Sequence, residues 1–194
     1  MQKLLSIILT ITCFCQLIAS AQSPKLMKDR NSTIEEARYL KSIYKTEDAI
    51  ELLSGLISPG QIDEEVQNDL ADCYIQAGDL DAAASTYSTL LMMKPESILY
   101  RIKLMLTTYR SKDYKSSSEL GLSIIKRDTI PAIVSLTADS FNMMAMPDSA
   151  LIYYNMYIGM NPANPSVVSK AAKIHLEREE YMKVLDMAED YLQI

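Results

Sequence analysis

Apolar residues recur at steps of three and four positions along most of the chain beyond its first twenty residues. The clearest example lies between residues 64 and 95, where Gly78 separates two apolar stripes and Pro95 closes the second. The stripes comprise Val66, Leu70, Cys73, Tyr74 and Ala77, then Leu80, Ala83, Ala84, Tyr87, Leu90 and Leu91. Each stripe follows the period of a helix, and glycine accepts the left-handed backbone that often ends one. The segment is therefore predicted to form two antiparallel helices.

The same segment carries the positions of a known repeat pattern: Leu70, Ala71, Tyr74, Gly78, Ala83, Tyr87, Leu90 and Pro95. In this spacing they resemble the tetratricopeptide repeat (TPR), a helix–turn–helix unit of about 34 residues. Only the tryptophan that often opens the family's pattern is missing, and Gln67 takes its place. The resemblance implies an all-α fold, the right-handed α–α superhelix or TPR solenoid, and it implies no single function.

Weaker copies of the pattern precede and follow this repeat. We predict five helix hairpins in one domain over residues 30–194, at 30–63, 64–97, 98–130, 131–164 and 165–194. A lone hairpin buries only one face, so such units need at least three stacked copies. Gly121 stands where the third copy should have an aromatic residue, which predicts a thinner core there. The fourth and fifth copies are carried by Ala138, Phe141, Ala145, Ala150, Tyr154, Tyr157 and Pro162, and by Ala172, His175, Val184, Ala188 and Tyr191.

Short polar residues mark the predicted helix starts. Ser32 with Glu35 three positions later has the form of a capping box, so the first helix is expected over 33–44. Asp63, Ser97 and Asp113 precede later apolar stripes, where a side-chain oxygen can accept an unpaired backbone N–H.

The N-terminus has the features of an export signal. Lys3 precedes an apolar run that ends near Ile18, and residues 19–21 read Ala-Ser-Ala, the small-residue signature of a cleavage site. We predict a signal peptide over residues 1–21 and a short polar leader over 22–29. Cleavage gives an exported bacterial protein, periplasmic or secreted, without a membrane span. Lipidation at Cys13 or Cys15 and a retained anchor stay open as alternatives.

Composition narrows the function classes. The 194 residues carry a formal net charge of −6 without a basic stripe, which disfavours nucleic acid as a partner. Cys73 is the only thiol beyond the predicted signal peptide, so no disulfide is expected within the mature chain. We expect it to be a buried apolar residue.

No catalytic constellation is apparent. His175 is the only histidine, and it takes the position of Tyr74 and Phe141 in other copies, which favours a structural role. No phosphate-binding glycine loop, nucleophile elbow or HExxH motif is present. We therefore predict neither an enzyme nor a cofactor.

Two alternative functions remain open. A cluster of methionines suggests thioether binding of copper, and hence a metal-binding or catalytic helical-repeat protein, although methionine ordinarily fills cores. Its members are Met143, Met144, Met146, Met156 and Met160. The second alternative is self-association, in which the last helix pair docks onto a second copy and gives a homo-oligomer.

The TPR resemblance implies where a partner binds. Family partners usually lie along the concave surface made by the first helices of the hairpins, and fourteen residues of those helices lie off the core stripes here. They are Arg38, Lys41, Asn68, Asp72, Gln76, Ile102, Leu106, Tyr109, Arg110, Asp139, Asn142, Met143, Ser169 and Lys173.

The family's carboxylate clamp, which grips a peptide C-terminus, is not matched, because Asp72 stands where a clamp asparagine belongs. The sequence thus favours a protein- or peptide-binding scaffold or adaptor of the bacterial cell envelope. An extended or helical peptide suits the apolar centre of this surface.

Overall fold

The computed structural model describes residues 29–58 and 60–193. The predicted signal peptide and most of the leader lie outside these residues. The described part is helical without a β-strand, as expected, and its first helix covers 29–42 rather than 33–44. The helices are α1 (29–42), α2 (Thr46–Gly55), α3 (Glu64–Ala77), α4 (Leu80–Met93), α5 (Ile98–Arg110), α6 (Tyr114–Ile125), α7 (Pro131–Met143), α8 (Pro147–Met160), α9 (Pro165–Glu177) and α10 (Tyr181–Leu192).

The chain divides into two compact units, one ending at Ala77 and the other beginning at Gly78. The first unit holds α1 to α3, with a core of Ile34, Ala37, Ala49, Leu53, Val66, Leu70 and Cys73. The second holds α4 to α10, and there each helix packs against the next one in sequence. This serial packing is typical of helical repeats, in which each element contacts its sequence neighbours. No helix among the described residues has the length and apolar character needed to cross a membrane.

Three of the predicted helix caps are confirmed. The side chains of Asp63, Ser97 and Asp113 each accept a hydrogen bond from the backbone N–H three residues on, at 3.1–3.2 Å. The prediction of a capping box at Ser32 is wrong, because Asp29 is already helical and Ser32 therefore lies inside α1.

One residue with a positive φ recurs in the turn between the two helices of each hairpin. These residues stand about 34 positions apart, with φ between 55° and 85°, and are Tyr44, Gly78, Lys112, Ala145 and Glu179. In four of the turns the next residue donates its N–H to the carbonyl five positions earlier, at 2.9–3.0 Å. That combination is the Schellman ending of a helix. Glycine, which adopts positive φ without strain, occupies only one of the five positions.

The prediction of a thin core at Gly121 is wrong, because α6 and α7 approach closely instead. A Cβ atom at Gly121 would lie 2.1 Å from Thr137 Oγ1 and 2.7 Å from Met105 Cε. Both of those side chains are fully buried. Across the same contact the Ser140 hydroxyl donates to the Ser117 hydroxyl at 3.1 Å. The volume of the missing aromatic is therefore filled by neighbouring side chains.

The last helix differs from the others in the second unit. α10 has no buried residue, and Ala188, a predicted core position, is exposed. Ala172 is half-buried, whereas its neighbour Ala171 is fully buried. Among the described residues α10 packs chiefly against α9, so only one side of α10 has a neighbour to bury it.

Candidate functional site

A pocket of about 280 Å³ lies among α5, α7, α8 and α9 of the second unit. Its lining consists of Tyr109, Asp139, Asn142, Met143, Tyr154, Lys170, Lys173, Ile174 and Glu177. Five of these were predicted from the sequence as partner-binding residues: Tyr109, Asp139, Asn142, Met143 and Lys173. The structure therefore brings together predicted residues from three different first helices.

The floor of this pocket is built around the Asp139 carboxylate, whose side chain is 17% exposed. Its Oδ1 accepts a hydrogen bond from the Tyr154 hydroxyl at 2.7 Å, and both of its oxygens lie 2.8 Å from Lys170 Nζ. An enclosed carboxylate loses hydration and requires such donors. Asp139 therefore organises the pocket, and both of its oxygens are already engaged.

The two tyrosines of the pocket remain protonated at neutral pH. Burial raises the pKa of the Tyr154 hydroxyl, and its hydrogen bond to Asp139 and the charge of that carboxylate raise it further. Burial and the charge of Asp139 likewise raise the pKa of Tyr109, whose ring meets Tyr114 edge-on with centroids 5.4 Å apart. Each phenol can therefore act as a hydrogen-bond donor.

The rim carries polar groups that the fold leaves available. Asn142, Met143 and Lys173 are exposed. Among the described residues, neither the Tyr109 hydroxyl nor the Asn142 amide forms a hydrogen bond. Lys173 Nζ forms an ion pair with Glu177 Oε1 at 3.7 Å, a distance too long for a hydrogen bond. These groups can bond to a ligand without first breaking an internal hydrogen bond.

Four other predicted residues of the second unit do not line the pocket. Ile102 is half-buried and packs against a core cluster formed by Met105, Ile124 and Ile133. Leu106, Arg110 and Ser169 are exposed.

In the first unit, several predicted partner-binding residues serve to join α1 to α3. Arg38 forms ion pairs with Glu35, Glu65 and Asp69 at 2.8–2.9 Å. The Gln76 side chain donates to the Lys41 carbonyl at 3.2 Å. Asn68 and Asp72, the other two, are half-buried.

Sequence reasoning missed the partner of each enclosed acid. Asp139 pairs with Lys170 and Asp69 pairs with Arg38, and in each case the two residues are 31 positions apart on successive first helices. Opposite charges at this separation on neighbouring first helices are a signal that could have identified Lys170. The contribution of Tyr154 was not foreseen because its predicted role was packing alone, whereas its hydroxyl reaches the pocket floor.

His175 and the methionine cluster are the residues that were considered for catalysis or metal binding. His175 is buried, as a structural role requires, and its Nδ1 lies 2.5 Å from Glu180 Oε2 in the turn between α9 and α10. Four of the five clustered methionines are exposed rather than packed in the core: Met143, Met146, Met156 and Met160. Among the described residues, no group of three or more His, Cys, Asp or Glu side chains is arranged to hold a metal ion.

Comparison with known families matches residues 44–105 to a model described as a tetratricopeptide repeat. Residues 44–105 belong to the tetratricopeptide-repeat family. No curated protein sequence matches it.

Solved structures of MamA are similar to this chain. MamA AMB-1 has a TM-score of 0.72 at 14% identity, covering 86% of this chain and 91% of that one. MamA MSR-1 has a TM-score of 0.71 at 14% identity, over 85% and 95%. MamA from Desulfovibrio magneticus RS-1 has a TM-score of 0.72 at 9% identity, over 84% and 93%. At these identities the likeness shows the fold alone, which is the predicted all-α TPR solenoid.

Proposed function

We propose that this TPR protein is a non-catalytic scaffold or adaptor that binds a protein or peptide through the first helices of its hairpins. The pocket among α5, α7, α8 and α9 is the main contact in this proposal. The observation that carries it is the convergence of five predicted partner-binding residues on one pocket, with donors at its rim that have no internal hydrogen bond.

The size of the pocket favours a peptide segment as the ligand. A volume of about 280 Å³ is at the lower end of the range for small-molecule pockets, about 300–1,000 Å³, and accommodates a peptide side chain. The Asn142 amide offers one donor group and one acceptor, which is the complement of a peptide bond. Met143 and Ile174 add apolar surface beside it.

The chemistry of the lining supports binding rather than catalysis. The residues around the pocket include no histidine, cysteine or serine, so they offer no nucleophile paired with a histidine base. The Asp139 carboxylate is held by Tyr154 and Lys170, which leaves it poorly placed to accept a substrate proton.

The predicted signal peptide supports a role in the bacterial cell envelope. An adaptor there would act in the periplasm or outside the cell. Fractionation of cells that express the full chain tests this part of the proposal, and recovery of uncleaved protein in the cytoplasm contradicts it.

Site-specific cross-linking in the native cell tests the binding surface. A photo-reactive phenylalanine analogue replaces Tyr109 or Asn142, and control analogues replace Ser85 on α4 and Lys115 on α6, both exposed. We expect one partner to be captured from the pocket positions and not from the control positions. Capture from the control positions alone, or capture of nothing from either set, contradicts the proposed surface.

Self-association is a second candidate function, and the exposed side of α10 favours it. Tyr181, Leu185 and Leu192 are 58%, 54% and 83% exposed, and with Ala188 they form one apolar stripe. The spacing of this stripe reads the same in both directions. An antiparallel second copy would therefore set Tyr181 against Leu192 and Leu185 against Ala188, as a two-fold interface requires.

Sedimentation velocity across a concentration series tests this candidate. We expect dimers for the unmodified chain, and monomers for Leu185→Glu. Leu99→Glu is the matched control, because Leu99 is 58% exposed on α5, away from α10. A wild-type chain that stays monomeric at the highest concentration contradicts self-association through α10.

A further inference from the structure

The hydrogen-bonding groups of the pocket are unevenly divided between donors and acceptors. The available donors are the Tyr109 hydroxyl, the Asn142 amide and the Lys173 ammonium, and none of them has a hydrogen bond within the described residues. A ligand that accepts hydrogen bonds would satisfy all three.

The acceptors of the pocket are mostly used. Both oxygens of Asp139 are within 2.8 Å of Lys170 Nζ, and one of them also takes the Tyr154 proton. Lys170 in turn cancels the charge of Asp139. Glu177 is the other carboxylate of the lining, and it forms an ion pair with Lys173 at 3.7 Å. Both side chains are exposed, Lys173 at 75% and Glu177 at 64%, so water weakens this ion pair and a bound carboxylate can replace Glu177.

Charge is also distributed unevenly between the two sets of helices in the second unit. Among the first helices, α5 has three basic residues, α7 has one acidic residue, and α9 has two basic and one acidic residue, giving a net charge of +3. The second helices hold −1 on α4, zero on α6, −1 on α8 and −2 on α10, giving −4. The charges of the pocket lining balance, with Lys170 and Lys173 against Asp139 and Glu177. The remaining basic residues of the first helices lie on α5 outside the lining, and their field favours an anionic ligand.

We infer that the pocket takes the carboxylate of a glutamate or aspartate side chain from the partner peptide. In this inference, which rests on the proposed function, Lys173, Asn142 and Tyr109 donate to the two carboxylate oxygens. Hydrogen bonds from a charged donor to a charged acceptor are about twice as strong as neutral ones. Met143 and Ile174 contact the methylene groups of the same side chain, so glutamate fits better than aspartate.

Titration of the full-length protein with small blocked amino acids, followed by amide NMR, tests the inference. The probes are N-acetyl-glutamate N-methylamide and its glutamine counterpart, which has the same shape without the charge. We expect the Asn142 side-chain signals to shift with the glutamate probe, and the glutamine probe to bind about tenfold more weakly.

Two substitutions that each remove one positive charge separate a specific effect of the pocket from a general effect of the protein's net charge. Lys173→Gln is expected to weaken binding of the glutamate probe about tenfold and to leave the glutamine probe unchanged. Lys115→Gln, on α6, removes the same charge from an exposed position outside the pocket and is expected to change neither. Asn142→Ala is expected to weaken binding of the glutamate probe as well.

Several outcomes overturn the inference. One is equal binding of the two probes, and another is a loss with Lys115→Gln as large as the loss with Lys173→Gln. Tighter binding of N-acetyl-alanine, whose carboxylate mimics a chain terminus, overturns the choice of a side-chain carboxylate. If the cross-links at Tyr109 and Asn142 still capture a partner in these cases, the proposed function stands and only the carboxylate assignment fails.

Discussion

The second unit contains two opposite cases of packing. One is the contact between α6 and α7, and the other is the outer side of α10. At the first, Gly121, Thr137 and Ile124 are buried, and there is no room for an added methyl group on the glycine. At the second, Leu185 and Leu192 are more than half exposed, and no residue of α10 is buried.

The difference follows from how helical repeats are stabilised. Each helix of the second unit packs against its sequence neighbours, so a helix inside the series gains burial from two sides and α10 gains it from one. Stability in such arrays is approximately a sum of local terms. The same substitution should therefore have a large effect inside the series and a small effect on α10.

Truncation of one large apolar residue in each region gives the largest expected contrast. Ile124→Ala removes a side chain that is fully buried, and we expect the free energy of unfolding to fall by about 2–5 kcal/mol. Leu185→Ala should change it by less than about 0.5 kcal/mol, because Leu185 is 54% exposed. Urea denaturation followed by helical circular dichroism measures both. Equal losses for the two variants would contradict the contrast.

Addition of a single methyl group tests the close approach of α6 and α7. We expect Gly121→Ala to lower the free energy of unfolding by about 1–3 kcal/mol, because its Cβ would fall 2.1 Å from Thr137 Oγ1. Gly159→Ala in α8 is the control. Nothing lies within 4 Å of that Cβ, and alanine should raise stability by about 0.5–1 kcal/mol.

A double-variant cycle assigns the Gly121 effect to this contact. Thr137→Ala removes the hydroxyl that the new methyl group would meet, so the loss from Gly121→Ala should be smaller in its presence. Additive losses would show that the strain lies elsewhere.

Loss of one hydroxyl at the pocket floor should have an intermediate effect. Tyr154→Phe removes a hydrogen bond to the enclosed Asp139 carboxylate, and we expect a loss of about 1.5–3 kcal/mol, typical of a bond to a charged group. Tyr157→Phe is the matched control, because the Tyr157 hydroxyl accepts from the neutral Asn164 amide at 2.7 Å. That loss should be about 0.5–1.5 kcal/mol, and the reverse order would contradict the role given to Asp139.

The smallest expected effect is a pH dependence at the turn before α10. The hydrogen bond with His175, followed by that with Lys183, holds the pKa of the Glu180 carboxyl below its ordinary value of 4.5. Because this pKa is lower in the folded than in the unfolded chain, the stabilisation is complete above 4.5 and is lost as the pH falls through the folded value.

Comparison of the wild type with Glu180→Gln measures this term. The two melting temperatures should differ near neutral pH and converge as the pH falls below the ordinary carboxyl range of about 4. Glu189→Gln, exposed on α10, should follow the wild type throughout. A constant difference across the range would mean that the Glu180 contact is not ionic.

Local and periodic features of the fold were predictable from the sequence. The apolar stripes predicted the hairpins. The caps at Asp63, Ser97 and Asp113 were predictable because each depends on a hydrogen bond to the backbone N–H only three residues later. The sequence could place Tyr109, Asn142 and Lys173 on the first helices because positions beside a core stripe follow the same period as the core.

The features that were missed depend on how far neighbouring helices approach each other. The contact at Gly121 reflects a close approach of α6 and α7, which a pattern of apolar positions does not encode. The Asp139–Lys170 pair joins residues 31 positions apart, and its existence depends on the rotation of two helices about their axes. The first helix is already formed before Ser32, where Arg30 makes ion pairs with Asp63 and Glu65, contacts that the local preference of a serine for a helix start does not reveal.

The residue with positive φ that recurs in each hairpin turn gives the chain a set of equivalent turn positions, which are called joints below. The segment from Lys112 to Ala145 begins and ends in the same backbone conformation. A duplicate of this segment can therefore be spliced in at either joint without designing a new turn. Engineering of longer or shorter arrays from this protein should cut at these joints rather than at the helix boundaries.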